Sequence, residues 1–203
     1  MLRLGSLLLF NHKMKTIDIL QAAQPYGDRF VNWLNFVLRW ENVYNKAGDI
    51  IVENDPSDRG GATFAGVDQR SHPTFNFSNP SAKAVAGVYY SDYWAPSKAQ
   101  QLPCPVGEVV ANYAVNMGLG ASSRLLQRAI NALGGSVGVD GDIGPKTLAA
   151  AMCVDPEKLA DKIEDLASDR YRSIVANNPS QSKFLKGWLN RNAALEKWWQ
   201  AFT

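Results

Sequence analysis

The chain of 203 residues carries 21 basic and 19 acidic side chains, with hydrophobic and charged shares of 46% and 20%. This is ordinary globular composition, which excludes a disordered chain, and a formal charge of +2 lacks the basic excess of a nucleic-acid binder. Six Trp, seven Tyr and eight Phe point instead to a partner gripped by stacking.

Residues 1–13 hold a short apolar stretch followed by Asn11-His12-Lys13, where a small-residue cleavage site would belong in a signal peptide. They are expected to be a disordered or mis-assigned extension ahead of Met14, where an ordinary start context begins. No apolar run approaches the length needed to span a bilayer, so membrane insertion is not expected. From Gly27 to Tyr44 the set Phe30, Leu34, Val37, Tyr44 recurs at helical spacing and predicts a helix. Between Ala47 and Val67 the character changes. Ile50-Ile51-Val52 and Ala62 to Val67 flank a turn rich in Asp, Pro and Gly, which predicts a small hairpin or wing.

Helices then resume. Pro80 and Ser81 open one through Tyr93, and Pro105 opens another to Met117, with Gly118 as its stop. Ser122 or Ser123 is placed as the cap of a third ending at Leu133. A short helix is predicted from Pro145 to Met152, and Asp155 with Pro156 starts a long one to about Asn177. The last runs from Ser182 to Phe202. The fold class is therefore mainly α with one small β excursion near the N-terminus.

Cys104 and Cys153 form no disulfide framework and no metal-ligand spacing, and with only His12 and His72 beside them no metal or cofactor is expected. Both cysteines are read as small buried apolar residues.

Glu41 follows Val37 by four residues and so falls on the apolar face of its helix. A carboxylate ending an apolar stripe is partly desolvated, which disfavours its charged form and suits a general acid. The alternative is that Glu41 tips into solvent at the helix end and does nothing. The following turn crowds Asp55, Asp58, Gly60-Gly61 and Thr63 together. A carboxylate or hydroxyl there could face Glu41 across a groove and position a water, although the same residues are ordinary turn formers.

Trp40-Glu41-Asn42-Val43-Tyr44, then Asn54-Asp-Pro-Ser-Asp-Arg-Gly-Gly-Ala-Thr63 and Gly66, resemble the N-terminal signature of glycoside hydrolase family 108, the phage-endolysin-like N-acetylmuramidases. Asn112 to Gly118, Leu125-Leu-Gln127, Val139 to Leu148 and Phe184 to Arg191 resemble the peptidoglycan-binding region that accompanies it. The family's usual Gly-Gly after the Glu is Asn42-Val43 here, and Asn45 to Glu53 lengthens the wing. The resemblance implies a lysozyme-like helical fold acting on peptidoglycan glycan strands, with Glu41 as the catalytic acid and Asp58 and Thr63 at positions that hold or orient the attacking water. It also implies cleavage of the β-1,4 bond from N-acetylmuramic acid to N-acetylglucosamine. A separation of roughly 6.5–9.5 Å between Glu41 and Asp58 would indicate inversion, and about 5 Å retention.

Sugar rings present apolar faces, so a glycan groove needs aromatics and a few amides. Tyr90, Tyr93 and Trp94 after the wing, Tyr44 in the signature, and Asn112 and Asn116 one helical turn apart are the candidate substrate contacts. Trp188, Trp198 and Trp199 are read as structural. The Asp140 to Thr147 loop resembles the turn of peptidoglycan-binding modules, and its Asp-Gly and Gly-Pro steps are also plain turn chemistry. The expected organisation is a catalytic region over 14–100 and a helical binding region over 101–203, packed as one globule and monomeric. Two readings compete with the muramidase: a lytic transglycosylase using Glu41 alone, and a non-catalytic wall-binding or secretion-assisting protein. In each case the expected place of action is the cell envelope, reached by export or lysis.

Overall fold

The computed structural model describes residues 13–41, 44–45, 47–53 and 61–202. Helix α1 (Thr16–Ala23) leads through a 3-10 turn (Gln24–Tyr26) into α2 (Asp28–Trp40). The periodicity of α2 does what it predicts: Phe30, Trp33, Leu34, Phe36, Val37 and Leu38 are buried. The helix stops at Trp40, however, and Glu41 is its C-cap. Tyr44, predicted inside the helix, instead makes an isolated antiparallel bridge to Ile50. Its hydroxyl is engaged structurally, accepting from Thr16 Oγ1 at 2.7 Å and donating to the Leu38 carbonyl at 3.2 Å. Helix α1 has no counterpart among the predicted elements. It buries only Ile19 and Ala23, too few positions to establish a period.

The wing is a three-stranded antiparallel sheet in the order β1 (Val52–Glu53), β2 (Thr63–Phe64), β3 (Val67–Asp68). The single segment predicted from Ala62 to Val67 turns back on itself at Ala65-Gly66, pairing Phe64 with Val67 and Thr63 with Asp68. Helix α3 (Ala82–Tyr89) is capped by Ser81, whose Oγ accepts from the Ala84 amide at 3.1 Å. It then widens into a π-helical turn, Tyr90–Trp94, rather than continuing as α-helix to Tyr93.

The second half packs α4 (Val106–Met117), α5 (Leu119–Ala132), α6 (Pro145–Ala151), α7 (Pro156–Asn177) and α8 (Ser182–Trp199). Gly118, at φ +84°, is the sole residue between α4 and α5, so α5 begins at Leu119 and not at a Ser122 or Ser123 cap. A left-handed glycine breaks one helix and starts the next within a single residue. Both serines lie buried inside α5, and Ser122 Oγ donates back to the Leu119 carbonyl at 3.1 Å.

Helix α4 is the centre of the molecule, with Val106 through Ala114 all buried. A helix with no solvent face must satisfy its polar side chains internally. Glu108 receives a two-pronged contact from Arg29 of α2, at 2.7 Å from Nε and 2.8 Å from Nη2. Asn112, one turn on, accepts from Arg191 of α8 at 3.1 Å and 3.3 Å. Asn116, a further turn on, hydrogen-bonds the Tyr171 hydroxyl of α7. One polar stripe on α4 thus ties down three other helices. The late tryptophans pack α8 onto the body, Trp198 against Phe36 at 5.1 Å and Trp188 on Tyr171 at 5.0 Å. Cys104 and Cys153 are both exposed, contrary to the burial expected of them, because each sits in a turn beside a helix end and not on an apolar face.

Candidate active site

Glu41 ends α2 where the chain leaves the core, and the tip of the β2–β3 hairpin rests on it. Gly66 lies at φ +77°, and a Cβ added there would come within 3.2 Å of Glu41 Cγ and overlap the Tyr89 hydroxyl. Only glycine permits that approach. Tyr89, buried in α3, fixes the turn from beneath by donating to the Ala65 carbonyl at 2.9 Å. From the other end of the chain, Arg191 Nη1 donates to Glu41 Oε1 at 2.9 Å while its Nε and Nη2 hold Asn112 Oδ1. The Arg191 and Glu41 side chains are 11% and 24% exposed, so the pair is largely desolvated and still open on one side. Partial burial of Glu41 agrees with its place at the end of an apolar stripe.

Beside this pair stands Tyr93, partly buried in the π turn. Its hydroxyl is held above the ordinary tyrosine range by burial first, then by the negative fields of Asp92, Glu41 and Asp68. Burial pushes the Asp68 carboxyl up, but hydrogen bonds from Ser71 and the nearness of His72 outweigh it and leave the group below the usual carboxylate range. His72 Nε2 lies 2.7 Å from Asp92 Oδ2 and fastens the loop after β3 to the π turn that carries Tyr93. Glu41, Asp68 and Asp92 therefore all act on the Tyr93 hydroxyl through their negative fields.

The predicted site residues part company here. Thr63 lies on the hairpin that rests on Glu41, on the opposite pleat from buried Phe64. Asp58 lies outside the described residues, as do Asn42 and Val43. Trp94 is only 1% exposed and packs against Trp33 at 5.3 Å and Phe30 at 5.6 Å, so it offers no face to a sugar. Tyr90 is stacked on Tyr26 at 4.2 Å with an edge contact to Phe30, so that face is occupied. Asn112 is fully buried on Arg191, and Asn116 is engaged with Tyr171. Trp94 and Asn112 are core residues, and Tyr90 and Asn116 are partly buried with their side chains engaged by Tyr26 and Tyr171. Helical spacing tells which side chains share a face, not which face looks outward. Tyr93 is the predicted aromatic that stands beside Glu41.

Arg191 was not singled out by its sequence. It lies 150 residues from Glu41, and no local period connects the two. In the Asp140 loop, the side-chain amide of buried Gln127 donates to Asp140 Oδ1 at 2.6 Å and accepts from the Gly141 amide at 2.9 Å. That loop is a structural clasp on α5.

Residues 34–118 match the family model described as Glycosyl hydrolase 108, and residues 121–193 match Predicted Peptidoglycan domain. The chain carries a glycosyl hydrolase 108 region. With the domain that follows it, this makes the protein a peptidoglycan hydrolase, and the resemblance read from its motifs holds. Among solved structures it is similar to Brucella abortus SagA, with a TM-score of 0.64 and 23% identity over 85% of this chain and 94% of that one. That likeness shows the shared fold. No curated protein sequence matches. Glu41, Thr63 and Tyr93 fall in the hydrolase match, whereas Arg191 falls in the peptidoglycan-domain match and reaches across to Glu41.

Proposed function

We propose that this peptidoglycan hydrolase is an N-acetylmuramidase acting in the cell envelope, with Glu41 as its general acid. The observation that carries the reading is the setting of Glu41: backed by Gly66, paired through Oε1 with Arg191, and adjacent to Tyr93. In the reaction the acid form of Glu41 gives its proton to the glycosidic oxygen. The bond from the anomeric carbon to that oxygen breaks, and its electron pair leaves with the departing sugar. Water adds to the anomeric carbon and loses a proton to a second group, for which Asp58 is the residue read from the sequence, with Thr63 hydrogen-bonding the water.

Arg191 suits the first half of this sequence. When Glu41 gives up its proton it becomes an anion, and a fixed guanidinium 2.9 Å away stabilises that charge as it develops. Tyr93 offers the ring on which an apolar sugar face can rest.

Glu41→Gln keeps the shape of the side chain and removes the proton. Turbidity of purified sacculi should then stay constant while the folded signal is retained. Undiminished lysis by this variant would refute the role of Glu41. Mass spectrometry of wild-type products should show reducing-end N-acetylmuramic acid. Reducing-end N-acetylglucosamine would move the cleaved bond, and 1,6-anhydro ends would replace hydrolysis with transglycosylation.

A further inference from the structure

Arg191 and Asn192 are neighbours on α8, and the helical step of about 100° per residue turns them to different sides. Arg191 faces Glu41. Asn192 lines a separate cavity of about 500 Å³ between α7 and α8, whose walls carry Asp161, Glu164, Asp165 and Glu196, with Arg172 also in the lining. The cavity lies within the stretch that matches the peptidoglycan domain and its C-terminal flank.

Two features set this cavity apart from a solvated acidic surface. Asn192 is 5% exposed, and its amide nitrogen donates to Ser168 Oγ at 2.9 Å and to the Glu164 carbonyl at 3.4 Å. Its Oδ1, however, is buried with no hydrogen-bond partner among the described residues. A buried acceptor without a donor is uncommon and calls for one. Glu164 is 7% exposed, and among the described residues its carboxylate receives one neutral donor, the Trp199 indole at 2.8 Å. Burial drives its carboxyl up to about 8 against that bond, with Glu196, Asp161 and Asp165 adding to the rise. Apart from Arg172, the charged side chains of the walls are therefore all acidic.

Among the described residues no three of His, Cys, Asp and Glu converge as metal ligands, so the wall suits an extended organic cation. Arg172 adds the opposite preference: among the described residues its ion pair is with exposed Asp169 at 3.2 Å, a weak surface contact that a ligand carboxylate could replace. We infer that the α7–α8 cavity is a binding site for the diamino-acid end of a peptidoglycan stem peptide, its free ammonium held by the acidic wall and Asn192 and its carboxylate by Arg172. This rests on peptidoglycan as the substrate and places peptide recognition apart from the glycan groove.

The test is isothermal titration of the full chain with L-Ala-γ-D-Glu-meso-diaminopimelate and with the same tripeptide acetylated on its distal amine. The free amine should bind at least about tenfold more tightly, the effect of one charge-assisted hydrogen bond. The D165N/E196Q double variant should lose about the same factor for the free peptide and nothing for the acetylated one. Arg172→Gln should weaken the free peptide and leave its distal α-amide derivative unchanged. Equal binding of the free and acetylated peptides, or no heat from either, would overturn the site. Glycan strands stripped of stem peptides by an amidase should be cut by D165N/E196Q at the wild-type rate. If those strands resist the wild-type protein as well, it is the muramidase reading that fails, whatever the peptide titration shows.

Discussion

Glu41 and Glu164 are both held by α8, and by unlike partners. Glu41 receives the Arg191 guanidinium at 2.9 Å and remains about a quarter exposed. Glu164 receives only the neutral Trp199 indole at 2.8 Å and is almost wholly covered. One helix thus supplies a positive charge to a carboxylate that stays partly open to solvent. It gives only a neutral indole to a second carboxylate, which lines a predominantly acidic cavity. The first arrangement accommodates an anion that appears during a reaction. The second leaves ionisation unfavourable until something positive arrives.

The sharpest break of this comparison is to remove each acid in turn. Glu41→Gln should lower the lysis of sacculi by at least about two orders of magnitude, the range of a general acid, with the circular dichroism unchanged. Glu164→Gln should leave lysis near the wild-type rate, and equal losses in both variants would erase the distinction. Removing the charge comes next. Arg191→Met leaves Glu41 and Asn112 without their partner and should cost about 3 kcal/mol in urea unfolding, the lower end for buried pairs because Glu41 keeps some solvent. Arg191→Lys should recover part of the lysis but less of the stability, since an ammonium cannot hold Glu41 and Asn112 with one rigid fork.

Gly66→Ala acts on the hairpin tip and presses on the Glu41 side chain without removing either acid. A left-handed backbone and overlap with the Tyr89 hydroxyl should together cost about 2 kcal/mol, and kcat should fall as the tip lifts from Glu41. A separate effect, on stability alone, belongs to Glu164 and is read as a pH slope. Glu164 titrates at about 8 in the folded chain against an ordinary 4.5, so between those values the folded state holds the extra proton. Its contribution to stability is complete below about pH 4.5 and is lost as pH rises through about 8, with a slope of at most about 1.4 kcal/mol per pH unit. Burial sets most of this slope, the Trp199 indole moderates it, and Glu196, Asp161 and Asp165 add to it. Thermal melts of Glu164→Gln across that window should lack the slope, and an unchanged slope would assign it to another group.

The helices were legible in the sequence wherever apolar spacing was sustained or a cap was strong, as at Asp155-Pro156 before α7 and Ser81 before α3. Boundaries failed where a single backbone angle decided them, as at Gly118, or where the chain left its period, as at Glu41 and in the π turn. The site divided similarly. Glu41, Thr63 and Gly66 belong to short-range motifs, and the approach of Gly66 to Glu41 follows from the hairpin that those motifs encode. The aromatic and amide candidates were not separable, because Tyr90, Trp94, Asn112 and Asn116 carry the same chemistry in a core as in a groove.

By itself the sequence determined a mainly helical chain with a small β wing, its glycosyl hydrolase family, and the carboxylate at the end of α2. Tertiary packing alone brings Arg191 to that carboxylate, turns the polar stripe of α4 toward neighbouring helices, and sets Glu164 in a predominantly acidic cavity. Local periods reach a few residues along the chain, whereas charge pairing and burial are set by which distant helices meet. The partner of Glu41 lies 150 residues away, and only packing brings it near.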